Sequence, residues 1–79
     1  MLYPNPNKGE YNIDLTATRN ETVKVEVYNI TGSNIIVKEW KVNEGNNTTS
    51  INLQSAKPGI YFTKLSTAKG SVVIKMLVE

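Results

Sequence analysis

The sequence predicts an all-β domain built as an antiparallel β-sandwich of six or seven short strands. Two observations predict it: no segment shows sustained helical periodicity, and short alternating segments recur at a spacing of roughly 8–12 residues. The chain has 79 residues, which is the size of one small domain, so residues 1–79 are interpreted as a single domain. A small β-barrel is the alternative architecture.

The N-terminal half predicts a loop followed by two strands. Pro4 and Pro6 hold the loop Tyr3–Gly9 stiff and extended. The segments Glu10–Leu15 and Thr22–Asn29 then alternate between apolar and polar residues, as half-buried strands do. The side chains expected to face the core are Tyr11, Ile13, Leu15, Val23, Val25 and Val27.

The middle of the chain predicts a turn and a strand of mixed parity. Gly32 supplies the unusual φ of a turn at Asn29–Ser33. In the strand Asn34–Val42, Ile35 and Val37 lie on one face, whereas the opposite face carries Ile36, Trp40 and Val42. A β-bulge would reconcile the two faces, and the register of this strand stays open.

Three further connections and two strands complete the pattern. Asn43–Asn47 is expected to be a polar loop, and Thr48–Leu53 a short strand with its last apolar residues inward. Gln54–Ala56 is expected to form a tight turn, and Ser66–Gly70 a hairpin-like loop. Ser71–Val78 is the last predicted strand, with one face made of Val72, Ile74, Met76 and Val78.

The stretch Lys57–Leu65 is the centre of the predicted fold. Pro58 suits the second position of a β-turn, and Gly59 accepts the positive φ that a type II turn needs next. The residues that follow are β-branched or aromatic and predict a strand. Tyr61 is expected to be a buried anchor whose hydroxyl group finds a hydrogen-bond partner.

The composition argues against catalysis and metal binding. The chain contains no cysteine and no histidine, which removes disulfides, the usual zinc ligand and every Ser-His or Cys-His nucleophile pair. Glu10 and Asp14 share one strand face at about 13 Å, so they are interpreted as solvated side chains. The loop Asn5–Glu10 lacks the clustered carboxylates of a calcium site. We therefore expect no enzyme activity, no metal, no cofactor and no small-molecule substrate.

The charge pattern gives no sign of a nucleic-acid partner. The formal net charge is +2, and the basic residues are scattered along the chain rather than clustered. No apolar run approaches the roughly 20 residues that span a membrane. Met1–Pro4 lacks a signal-peptide pattern, so the sequence indicates either a cytoplasmic domain or the downstream part of a longer exported chain.

Four separated motifs occur in a fixed order: Tyr3-Pro4-Asn5-Pro6 with Gly9, Tyr28 to Gly32, Pro58 to Tyr61, and Val73 to Val78. Together they resemble the C-terminal sorting domain of the bacterial type IX secretion system, of the type A kind found in Bacteroidetes cargo proteins. The resemblance covers the whole chain. Leu2 departs from it, because a β-branched residue is more usual before the Tyr-Pro pair.

The resemblance implies an immunoglobulin-like sandwich that acts as a secretion signal for a cargo fused at its N-terminus. The implied partners are the outer-membrane type IX machinery and a sortase-like peptidase that removes the domain. The implied location is the periplasm in transit, and then the outer-membrane surface or the extracellular space. The signal positions carried over are Pro4, Asn5, Pro6, Gly9, Gly32, Pro58, Gly59, Tyr61, Lys75 and Val78.

A receptor can contact only exposed residues, so Asn5, Lys75 and Val78–Glu79 are the expected contact positions. The other signal residues would then act by building the sandwich. The competing hypothesis is an immunoglobulin-like adhesion or carbohydrate-binding module with an aromatic surface around Trp40 or Tyr28, to which Tyr3 could add. A weak dimer formed through exposed edge strands is also compatible with the sequence.

Overall fold

The computed structural model describes residues 1–53 and 56–79. They form seven strands: β1 (Leu2–Tyr3), β2 (Glu10–Ala17), β3 (Glu21–Asn29), β4 (Asn34–Val42), β5 (Gly45–Asn52), β6 (Gly59–Thr67) and β7 (Gly70–Val78). The order β1-β2-β5 makes one sheet, and the order β4-β3-β6-β7 makes the other. All pairings between these strands are antiparallel. Two separate sheets confirm the predicted sandwich rather than a barrel.

The core lies between the two sheets and follows the predicted alternation. Tyr11 and Ile13 of β2 are buried, and so are the three inward valines of β3. Leu15 faces the same side but is only partly buried. The inner face of β6 is buried at Tyr61, Thr63 and Leu65, of which Tyr61 was predicted to be buried. Among the described residues, no helix is long and apolar enough to cross a membrane.

The hairpin loop expected at Ser66–Gly70 is shorter, because Ser66 and Thr67 belong to β6 and Gly70 to β7. Two strands beside β2 also differ from the expectation. Leu2 and Tyr3 form β1 by pairing with Ile13 and Asn12, although the sequence placed Tyr3 in a loop. β5 begins at Gly45, so most of the predicted polar loop at Asn43–Asn47 is strand. These segments have no apolar alternation of their own, and the backbone of β2 provides the pairing that makes them strands.

The bulge expected near Asn34–Val42 lies at the start of β4. Tyr28 pairs with Asn34 and Val27 pairs with Ile36, so Ile35 is the extra residue. From Ile36 onward the strand alternates regularly, and its inner face packs Ile36, Trp40 and Val42 against the core. Ile35 and Val37 are exposed on the outer face.

The connection before β6 is only partly comparable with the prediction. The expected tight turn at Gln54–Ala56 includes Gln54 and Ser55, which lie outside the described residues. Gly59 has the expected positive φ, but its value of +154° is far from the roughly +80° of a type II turn. The type II assignment is therefore wrong, and Gly59 is already the first residue of β6.

Candidate functional site

The N-terminal loop, residues 4–9, packs along the last part of β7. The backbone N–H of Asn7 donates to the Leu77 carbonyl at 3.0 Å, and the Glu79 N–H donates to the Asn7 carbonyl at 2.7 Å. Asn7 and Val78 thereby form a parallel bridge. The loop contains two cis X–Pro peptide bonds, Tyr3–Pro4 and Asn5–Pro6. The two ends of the chain therefore meet at one edge of the four-stranded sheet.

Asn5 adds a second connection between the loop and β7, through its side chain. Its Nδ2 donates to the Lys75 carbonyl, and its Oδ1 accepts from the Leu77 N–H, each at 3.1 Å. The carboxamide thus occupies the backbone groups that a neighbouring strand would use. Asn5 and Lys75 were predicted as separate contact residues, and the structure places them next to each other in space.

Asn7 organises the loop from within. It is buried, its Nδ2 donates to the Pro4 carbonyl at 3.1 Å, and its Oδ1 accepts from the Gly9 N–H at 2.9 Å. Gly9, at φ +100°, accepts a hydrogen bond from the Leu53 N–H through its carbonyl. The sequence interpretation did not assign a role to Asn7, although an Asn two residues before Gly is a typical Asx-turn signal.

Tyr61 links the centre of the four-stranded sheet to the segment before β6. It is buried, and its hydroxyl donates to the Lys57 carbonyl at 2.7 Å. This confirms the predicted burial and pairing. The backbone of Tyr61 lies between Asn29 of β3 and Met76 of β7. Asn29 in turn accepts from the backbone N–H groups of Thr31 and Ser33 and holds the turn that contains Gly32.

The strand register brings the separated motifs to one end of the sandwich. Asn7, Val78 and Gly59 are neighbours in one row, and Asn29, Tyr61 and Met76 are neighbours in another. We call this the motif end, defined by residues 4–9, 29–33, 57–59 and 75–79. Positive φ at Gly9, Gly32 and Gly59 occurs in three of its four segments.

The surface of the motif end consists mainly of loop residues. The predicted signal residues that are exposed at this end are Pro4, Asn5, Pro6, Gly32, Pro58 and Lys75. Val78 is 1% exposed, so the expectation that Val78 is available for direct contact is wrong, because its side chain faces the core. Glu79 is exposed.

Two grooves flank the N-terminal loop. One, of about 560 Å³, is lined by Pro4, Pro6, Asn7, Lys8, Glu10 and Glu79. The other, of about 360 Å³, is lined by Asn5, Ile60, Lys75, Met76 and Leu77. The loop therefore lines two surface grooves, and the second groove is the more apolar of the two.

The aromatic residues of the competing hypothesis lie apart. Trp40 packs against the core from the inner face of β4. Tyr28 lies on the outer face of β3 and stacks on Phe62, with ring centroids 5.5 Å apart. Tyr3 belongs to the other sheet. The fold does not join these three side chains into a shared platform.

The polar side chains of the outer face of the three-stranded sheet bond one another. The Tyr3 hydroxyl donates to Asp14 Oδ1 at 3.2 Å, and Thr48 Oγ1 donates to the same oxygen at 2.7 Å. The hydrogen bond to Asp14 raises the pKa of Tyr3. Across residues 1–53 and 56–79, no cluster of three or more acidic side chains could hold a metal ion. The outer face of this sheet therefore carries polar side chains that are hydrogen-bonded to one another.

Comparison with known proteins agrees with the motif order. A search of curated proteins finds no match to the chain. The family model described as "Secretion system C-terminal sorting domain" matches residues 1–79, which is the full length of the sequence. The chain belongs to the family of type IX secretion C-terminal sorting domains.

Proposed function

We propose that the motif end is the surface that the outer-membrane type IX translocon reads. The observation that supports the proposal is the convergence of four motifs on that end through the rows Asn7–Val78–Gly59 and Asn29–Tyr61–Met76. Pro4, Pro6 and Lys75 are exposed at this end, so a partner can contact them. Membership of the family implies a cargo and export from the cell.

In this proposal the domain itself is non-catalytic. It accompanies a cargo fused at its N-terminus through the periplasm and directs it across the outer membrane. A sortase-like peptidase then removes the domain, and the cargo becomes attached to the cell surface. The adhesion or carbohydrate-binding alternative is disfavoured, because Trp40 and Tyr28 lie on opposite faces of their sheet.

The test is a fluorescent reporter that carries a signal peptide and this domain in a type IX-competent bacterium. We expect the reporter to reach the surface, and the same reporter lacking Lys75–Glu79 to stay in the periplasm. Delivery in a strain without the translocon would contradict the sorting role. Delivery of the truncated reporter would contradict a role of the C-terminal segment.

Because the truncation removes buried Met76 and Val78, it also damages the fold. A point variant separates recognition from folding. Lys75→Ala changes an exposed side chain and should alter the free energy of unfolding by less than about 0.5 kcal/mol. Its matched control is Lys41→Ala, at an exposed position of β4, which is the opposite edge strand of the same sheet. Reduced export of the first variant alone supports recognition at the motif end, and equal export contradicts a role of Lys75.

A further inference from the structure

The first half of β7 presents an unpaired sheet edge. β7 is the outermost strand of its sheet, and the N-terminal loop bonds the backbone of Lys75, Leu77 and Glu79 only. Backbone groups at alternate positions of a strand point to the same side, so those of Ser71 and Val73 also point away from β6. Within the described part of the chain, these groups make no hydrogen bond.

This edge lacks the usual protection against strand addition. Natural edge strands carry charges, prolines or bulges that keep other chains away. The segment Gly70–Ile74 contains no charged residue and no proline, and its register with β6 is uninterrupted. Val72 is 54% exposed and Val73 is 48% exposed. The edge is therefore open to both hydrogen bonding and apolar contact.

An apolar groove lies beside this edge, between the sheets. Leu15, Val23, Leu65 and Val72 are its apolar lining residues, and its volume is about 330 Å³. The groove exists because β1 has two residues and pairs with β2 at Asn12 and Ile13, short of Leu15. An added strand at the β7 edge would direct every second side chain toward this groove.

The charges around the edge indicate what such a strand carries. Lys69 and Lys75 lie before and after the open segment, and Lys64 is the neighbour of Val73 on the outer face. No acidic residue occurs from Gly70 to Val78. An incoming strand with carboxylates on its outer face would be attracted, whereas the β7 strand of a second copy offers none.

We propose that the edge segment Ser71–Ile74 receives an additional β-strand from the export machinery. The strand carries apolar side chains toward the groove and carboxylates at the alternate positions. Backbone hydrogen bonds supply affinity, and the groove beside Leu15 and Val72 supplies specificity, as in other cases of strand addition. This inference rests on the proposed sorting function and adds a contact outside the motif end.

Two variants at Val73 test the proposal in the export reporter. Val73→Pro removes the outward N–H without removing a bond to β6, a position where edge strands tolerate proline. Val73→Thr keeps the N–H and the β-branched shape. We expect surface delivery to fall about tenfold for Val73→Pro, because a bond and the close approach are lost, and to stay within about twofold for Val73→Thr. Equal delivery of the two variants would overturn the edge proposal alone, whereas failure of the unmodified reporter would overturn the sorting role.

A direct measurement avoids any variant that folds poorly. The unmodified domain is titrated with a synthetic peptide of alternating valine and glutamate, followed by amide NMR, with an alternating valine and lysine peptide as the control. We expect the Ser71 and Val73 amides to shift and to exchange more slowly, with at least about tenfold weaker binding of the control. Shifts confined to other strands would overturn the proposal. The same shifts appearing with domain concentration and no peptide would assign the edge to a second copy instead.

Discussion

The phenolic oxygen of Tyr11 lies 2.9 Å from Oγ1 of Thr63 in the middle of the core. Tyr11 belongs to the three-stranded sheet and Thr63 to the four-stranded sheet. The Thr63 hydroxyl also lies 3.6 Å from Sδ of Met76 and donates to it. Burial raises the pKa of Tyr11, and this effect outweighs the lowering by the hydrogen bond between Tyr11 and Thr63. The two sheets are therefore joined by a polar contact that requires an un-ionised tyrosine.

We expect Tyr11 to make the domain sensitive to alkaline pH. A tyrosine in the unfolded chain ionises near pH 10, whereas folded Tyr11 ionises at higher pH. The stabilisation is therefore complete below about pH 10 and is lost as pH rises through the folded pKa. Urea unfolding between about pH 8 and about pH 11 should show a smaller decline for Tyr11→Phe than for the unmodified domain. Identical declines would contradict the role of Tyr11 in this pH dependence. Tyr28→Phe, on the outer face of the other sheet, is the control.

We expect Tyr61 to stabilise the domain chiefly through its ring. Tyr61→Ala should cost about 3–5 kcal/mol, enough to unfold so small a domain. Tyr61→Phe removes only the hydrogen bond to the Lys57 carbonyl and should cost about 0.5–1.5 kcal/mol. Near-UV and far-UV circular dichroism with urea melts compares them. A well-folded alanine variant would show that the ring is not a core anchor.

We expect Asn7 to be needed for the shape of the N-terminal loop. Asn7→Ala leaves the Pro4 carbonyl and the Gly9 N–H without their partner, at a site that is buried. The loss should be about 1–3 kcal/mol in the free energy of unfolding. Asn34→Ala, at an exposed position, should stay within about 0.5 kcal/mol. Equal urea midpoints for the two variants would remove the proposed role of Asn7.

We expect Gly59→Val to destabilise the domain by roughly 1–3 kcal/mol, because a β-branched residue is strained at positive φ. Gly59 has φ +154°, and a Cβ added there meets no atom within 4 Å. The expected loss is therefore a backbone effect without a steric clash. Urea melts of this variant are compared with those of Ile60→Val, which keeps the backbone preference. An unchanged midpoint for Gly59→Val would contradict the expected backbone strain at this position.

We expect Trp40→Ala to lower stability without removing a ligand. Trp40 is partly buried and packs against the core, so its loss should be about 1–3 kcal/mol, less than for a fully buried aromatic residue. The measurement combines urea melts with a glycan array read by tryptophan fluorescence. A glycan that quenches Trp40, together with an unchanged melt for the alanine variant, would favour the carbohydrate-binding alternative.

The amino-acid sequence by itself determined most of the strands and which side chains of those strands face the core. Tyr11 and Ile13 are separated by one polar residue, and so are Val23 and Val25. This two-residue repeat of apolar side chains is a local property of a strand. The same applies to Tyr61, whose burial follows from its position on the apolar face of β6. The Pro-Gly pair before it also marked the start of that strand.

Only the tertiary structure decided which segments meet. Asn5 and Asn7 carry no apolar pattern, and their partners in β7 lie at the other end of the sequence. β1 and the start of β5 are strands because they pair with β2. Such backbone pairing depends on a neighbouring strand rather than on side-chain composition. The open edge at Ser71 and Val73 arises for the same reason: an exposed strand edge is a relation between chain segments, and no local periodicity encodes it.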